Sequence, residues 1–179
     1  MKKIAIFGNA GGGKSTLAKH LAKTTDLPLY PIDSIQYQSG GRQISRDKYL
    51  KEHSRLLAKE MWIIDGFGCL ESAWERFSIA DTLIYIDLSF FTHFLWITKR
   101  MFKGLWVTPE GWPPNSPIFK STLKSYRVLW LCHRYLTPRY RKYVTDAALT
   151  KTVYHLKSAQ EIKMFLQNLE VENHENTVA

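Results

Sequence analysis

A three-layer α/β fold built on a parallel sheet is predicted by two features of the sequence. Short apolar runs alternate with amphipathic stretches of ten or more residues, the pattern of strands joined by crossover helices. A glycine loop or an aspartate ends most of the runs, and open parallel sheets bind their ligands beyond those carboxyl ends.

The elements follow in order. Residues 3–7 form a buried strand that ends in glycines, and 16–24 carry Leu17 and Leu21 at helical spacing. Residues 27–32 read as a second strand ending at Asp33. Ser45 offers an N-cap for a helix through residue 59, with Tyr49, Leu50, Leu56 and Leu57 on its inner face. Residues 61–64 and 82–86 are the third and fourth strands, ending at Asp65 and Asp87. Ser89 caps a helix that Gly104 closes. After a loop with Pro109, Pro113, Pro114 and Pro117, a helix is expected over 118–136, stopped by Pro138. Residues 152–156 are the fifth strand, and Ser158 with Glu161 forms a capping box for the last helix. One domain is expected over residues 1–169, followed by a polar, fraying tail over 170–179.

Composition bounds the function. The 179 residues are 45% hydrophobic and 23% charged, the balance of a soluble globular domain. Cys69 and Cys132 are far apart and form no CxxC, which suits a reducing cytoplasm. The apolar run after Lys3 ends after four residues, so no signal peptide is read. Residues 79–107 hold Asp81, Asp87, Lys99, Arg100 and Lys103, which excludes a membrane span. Charge is uneven: between Trp96 and Thr145 there are ten Lys or Arg and one acid, Glu110, whereas the rest of the chain holds 15 of each sign. The whole net charge of +9 thus lies in one segment and calls for a polyanionic partner, a nucleotide or a nucleic acid.

The first strand runs into Gly8-Asn9-Ala10-Gly11-Gly12-Gly13-Lys14-Ser15, which fits G-x-x-x-x-G-K-[ST] at every fixed position. Glycines let backbone N–H groups turn toward phosphate oxygens. Lys14 supplies a point charge for the β- and γ-phosphates, and the Ser15 hydroxyl is a hard ligand for Mg²⁺. The helix that begins here, with Thr16 in its first turn, aims its positive end at the same anion. Strand before and helix after are the context that makes this a P-loop, with ATP and Mg²⁺ as its expected ligands.

Together with this loop and Leu17-Ala18, the segments Tyr30-Pro31-Ile32-Asp33, Trp62-Ile63-Ile64-Asp65-Gly66 and residues 80–87 resemble the adenylate-kinase-related proteins labelled DNA topology modulation proteins. Residues 109–113, ahead of the basic helix, extend the resemblance, which covers about residues 1–165. It implies a P-loop NTPase of nucleoside-monophosphate-kinase type, with a five-stranded core, an acceptor-binding insert at 34–60 and a basic lid and helical region at 99–145. It also implies that Asp65 serves Mg²⁺ or its waters; a plain turn cap before Gly66 is the other reading. The chain departs from adenylate kinases where Asp65-Gly66-Phe67 continues with Gly68-Cys69 rather than Pro-Arg, so the arginine that grips an acceptor phosphate is missing. AMP is therefore not carried over as acceptor.

Asp33 points to a hydroxyl-bearing acceptor, because a carboxylate removes a hydroxyl proton but repels a phosphate; a turn cap stays open beside that role. Arg100 is the residue chosen to neutralise the transferring phosphoryl group, as lid arginines do in related kinases. Arg127, Arg134, Arg139 and Arg141 lie on or after the basic helix, where solvated faces are the alternative. Trp96 follows Phe90, Phe91 and Phe94 at helical spacing and is assigned to the core. Trp106 and Trp112 are assigned to contact with an adenine ring or a partner. The six histidines show no zinc spacing. The reading is an ATP-dependent kinase acting on a small hydroxyl or phosphate acceptor, with a nucleic-acid-associated ATPase as the alternative. Helix 90–103 is expected to pack on the sheet rather than on a membrane.

Overall fold

The computed structural model describes residues 1–38, 42–104 and 118–178, and within them every side chain except those of 103–104, 118–124 and 172–178. Five strands, β1 (Lys3–Gly8), β2 (Leu29–Pro31), β3 (Trp62–Asp65), β4 (Thr82–Ile86) and β5 (Thr152–Leu156), form one parallel sheet in the order β2-β3-β1-β4-β5. The three central strands are buried on both faces, which is why they read as continuous apolar runs.

Strand alternation divides the core in two. Ala5, Phe7, Ile64, Leu83 and Tyr85 point to one side, where Phe77 and Tyr140 close over them. Ile4, Ile6, Ile63, Ile84 and Ile86 point to the other, against Leu17, Leu21, Phe165 and Leu169. The helices that supply these side chains are α1 (Lys14–Thr25), α4 (Leu70–Ile79), α7 (Thr137–Ala147) and α8 (Ala159–Val178). Helix α3 (Arg46–Leu57) buries Tyr49, His53 and Leu57, spaced four apart on one face. Helices α5 (Phe90–Gly104) and α6 (Ile118–Leu131) pack on each other, and among the described residues no helix is long and apolar enough to cross a membrane.

Several predicted elements change on folding. β2 stops at Pro31, and Asp33 lies not at a strand end but in the first turn of a short helix, α2 (Ile32–Gln36), whose Ile32 is fully buried. Helix α4 was not predicted. Ala73, Arg76, Phe77 and Ala80 give it a buried stripe at helical spacing, but its N-cap is a cysteine, Cys69, a residue outside the usual capping set. Pro138 does not stop the preceding helix. After α6 the chain passes through a π-helical turn (Cys132–Leu136), and Pro138 sits in the first turn of α7, where its missing N–H would have had no partner within the helix. The polar tail from residue 170 continues as helix to Val178. The inner side of α5 is buried, His93 and Ile97 against the glycines of the loop after β1 and Trp96 against the core, while Phe91, Leu95 and Phe102 face solvent.

His53 and His93 are completely buried. Burial, and then Arg76, pulls the pKa of His53 from 6.5 to about 4; burial, and then Lys14, does the same to His93. Both stay neutral in the folded chain and gain a proton on unfolding, so stability is lost as pH falls from 6.5 towards 4. Each histidine contributes on the order of 3 kcal/mol to that slope. The melting temperature is expected to hold above pH 7 and fall through this window, with a shallower fall in His53→Gln. An unchanged slope in that variant would refute the account.

Candidate active site

The site starts where β1 ends. Gly8 has φ +142°, and a Cβ there would lie 2.3 Å from the carbonyl oxygen of Ile86 on β4. Only a residue without a side chain lets the loop cross the sheet edge so closely. Gly13, at φ +77°, is the N-cap of α1 and offers no side chain to its first N–H groups. Those donors remain for an anion, at the positive end of the helix.

The next two residues turn in different directions. Lys14 Nζ donates to the carbonyl oxygen of Asn9 at 2.7 Å, so it lies back across the loop it belongs to. Ser15 Oγ donates to Asp65 Oδ2 at 2.7 Å, joining the first turn of α1 to the end of β3. Asp65 is buried, and its Oδ1 has no hydrogen-bond partner among the described residues. A hydroxyl beside a dry carboxylate with one orphaned oxygen fits a hard divalent cation such as Mg²⁺. Asn9 uses its side chain differently: Nδ2 donates to Thr137 Oγ1 at 3.1 Å, tying the loop to the start of α7. Ala10, Gly11 and Gly12 complete the loop between these fixed points, and Thr16 is exposed beside them.

Asp33 and Arg100 lie within electrostatic reach of this cradle and of each other. Asp33 is open to solvent, yet burial of its surroundings and then the Asp65 charge push its carboxyl above the ordinary value of 3.8, against the pull of Lys14 and Arg100. Burial lowers the pKa of Lys14, with Asp65 and Asp33 opposing it. Burial likewise lowers that of half-buried Arg100, whose opposing charge is Asp33. Lys14, Asp33, Asp65 and Arg100, scattered over more than eighty positions of sequence, thus share one electrostatic field.

Asp87, grouped with the other strand-end aspartates, is already engaged. Arg141 binds it with Nε to Oδ2 at 2.7 Å and Nη2 to Oδ1 at 3.0 Å, and His155 Nε2 lies 2.9 Å from Oδ2. Burial raises its pKa, but these hydrogen bonds outweigh that and hold it below the ordinary carboxylate value. Arg141 is therefore a brace for β4, while Arg127, Arg134 and Arg139 are exposed. Trp96 packs against the core as expected, close to Gly13. Trp106 and Trp112 lie outside the described residues.

Arg76 was missed by the sequence reading. It is fully buried, with Nη2 donating to the Gly66 carbonyl at 2.7 Å and Nη1 facing His53 Nε2 at 3.4 Å. It pins the turn that follows Asp65. The available signal was an arginine among Ala73, Phe77 and Ala80, on the apolar stripe of a helix that had itself gone unread.

No protein-family model matches the chain and no curated protein matches its sequence. Among solved structures it is similar to "Shikimate kinase from Acinetobacter baumannii in complex with shikimate", with a TM-score of 0.58 and 14% sequence identity, over 100% of this chain and 96% of that one. The likeness is one of fold: a five-stranded parallel sheet with flanking helices, the P-loop kinase fold.

ATP with Mg²⁺ is expected to raise the melting temperature, since a ligand at a hundred times its Kd stabilises the native state by about 2.7 kcal/mol. Ser15→Ala and Asp65→Asn should lose the Mg²⁺-dependent part of that rise. A full shift in both variants would remove the pair from metal binding.

Proposed function

We propose that the chain is an ATP-dependent small-molecule kinase that transfers the γ-phosphoryl group to a hydroxyl-bearing acceptor. The observation that carries this reading is the hydrogen bond between Ser15 and Asp65, set beside a P-loop lysine and within the electrostatic reach of the solvent-open Asp33. In this reading residues 8–16 hold the phosphates of ATP, and Ser15 with Asp65 holds Mg²⁺ or its waters. When bound, that ion would supply Lewis-acid stabilisation of the phosphate charge.

The other roles follow from charge and exposure. Lys14 leaves Asn9 for the β- and γ-phosphates when a triphosphate enters, exchanging a neutral carbonyl for an anion. Asp33 accepts the proton of the attacking hydroxyl, a task for a carboxylate that solvent and substrate can reach. Arg100 supports the charge that spreads over the phosphoryl group in the transition state, in a half-buried setting where such support is strongest. The structural neighbour, named as a kinase in complex with the small molecule shikimate, supports a small acceptor by analogy of fold. The resemblance to topology modulation proteins would add nucleic acid as a partner, but the fold comparison lends no support to that alternative.

Acceptor-dependent ADP release is the measurement, screened across nucleosides, nucleotides, sugars and hydroxy acids. Lys14→Ala should lower kcat/KM by a factor of about 100 or more. Asp33→Asn should lower it by about 100-fold or more with a hydroxyl acceptor and leave a phosphate acceptor nearly unaffected. Because burial raises the Asp33 carboxyl, the acid limb of the kcat/KM profile should lie above pH 3.8 and disappear in Asp33→Asn. Full activity in Asp33→Asn, or ADP release that no acceptor stimulates, would overturn the corresponding step.

A further inference from the structure

The kinase reading leaves two features without a use: most of the basic surplus between residues 96 and 145, and the outward side of α5. They occur together. The Phe94 and Tyr126 rings meet, tilted, at 4.9 Å, Thr98 shares a hydrogen bond with the Tyr126 hydroxyl, and Phe90 meets His133 at 5.4 Å. These contacts run in opposite chain directions, so α5 and α6 are an antiparallel pair with a seam between them. On one side of the seam His93, Ile97 and Leu129 are buried.

On the other side the pair has no cover among the described residues. Phe91 is 67% exposed, Leu95 48%, Phe102 56% and Trp130 55%, with Leu131 also exposed. Phe91, Leu95 and Phe102 recur at helical spacing on α5, as do Arg127, Trp130 and Leu131 on α6. On each helix these residues lie across the seam from the buried ones, so the two exposed flanks join into one face. A monomer that leaves so many large apolar groups together has a use for them.

The charge on that face selects the partner. Lys99 and Arg127 are exposed along it, Arg134 follows just beyond, and neither α5 nor α6 contains an acidic residue. A second copy of the chain would bring these cations against one another with no acid from either helix to neutralise them. A bilayer with anionic headgroups meets both requirements: it takes Phe, Leu and Trp side chains without needing a complementary shape, and its surface potential attracts the flanking cations.

We infer that the outer flank of the α5–α6 pair docks this protein on the surface of an anionic membrane, lying in the interface rather than spanning it. The same cluster of lid-region cations then has two duties, Arg100 turned into the cleft and Lys99 and Arg127 turned to lipid. The inference does not depend on the kinase reading, since lipid binding is measured without turnover.

Flotation of the full chain with vesicles tests it. Binding is expected to vesicles of phosphatidylcholine containing about one-third phosphatidylserine, to be absent with phosphatidylcholine alone, and to weaken as salt rises. The double variant Phe91→Ser/Leu95→Ser should lower the vesicle-bound fraction about tenfold or more while keeping the wild-type melting temperature and ADP release. Lys99→Gln/Arg127→Gln, which leaves the apolar face intact, should abolish the difference between the two vesicle types. Lys14→Ala should float like wild type, which separates this result from any failure of the kinase reading. The inference is overturned if the chain does not float with anionic vesicles, or if Phe91→Ser/Leu95→Ser floats as well as wild type. It is equally overturned if sedimentation shows a dimer that this variant dissociates, or if single-stranded DNA binds the face and vesicles do not.

Discussion

Everything at the carboxyl edge of this sheet depends on the close passage of Gly8 over the Ile86 carbonyl. A Cβ at that point would sit 2.3 Å from the oxygen, inside any tolerable contact. With only hydrogen there, β1 can leave the sheet, turn, and start α1 within six residues. That turn opens the first N–H groups of α1, lets the Lys14 ammonium lie back on the Asn9 carbonyl, and brings Ser15 to Asp65 on the neighbouring strand. Asn9 fastens the far side to α7. The cradle is thus held at both ends by hydrogen bonds to distant elements.

Two carboxylates near this cradle have different environments, and the difference suits different work. Asp65 is dry, bound by Ser15 and backed by the charge of buried Arg76. Asp33 lies in the first turn of α2 with a path to solvent. A dry, fixed carboxylate suits a cation; a carboxylate in reach of solvent suits proton exchange with a substrate. Arg76 secures the geometry by holding the Gly66 carbonyl. A buried guanidinium with no carboxylate in contact among the described residues is costly to keep, and its hydrogen bonds to the turn are what it returns.

The basic segment, uniform in sequence, is divided by folding. Arg141 neutralises Asp87 at the end of β4, Arg100 lies in the field of Asp33, and Lys99 and Arg127 stay outside beside exposed aromatic residues. The π-helical turn between α6 and α7 helps make this division. One extra residue per turn rotates the chain so that Thr137 reaches Asn9 and Tyr140 enters the core.

The sequence by itself determined the parallel α/β sheet and the glycine loop that joins its first strand to its first helix, because these rest on local rules: glycine where the backbone must turn, apolar runs where strands are buried on both faces. Four of the five strands lie where those rules put them, and Ser158 caps the last helix through the Glu161 N–H, with the Glu161 carboxylate reaching back to the Lys157 N–H instead of that of Ser158. Helix α4 and the passage of the chain through Pro138 escaped, one because its cap is a cysteine and the other because proline is as welcome in a helix's first turn as it is unwelcome in its middle. What only the tertiary structure decided was which charges meet. Arg76 at least sits on an apolar helical stripe, but nothing local distinguishes Arg100 from Arg141, or Asp87 from Asp65; their duties come from packing that buries one group, pairs another and leaves a third open, and burial is a property of the whole fold.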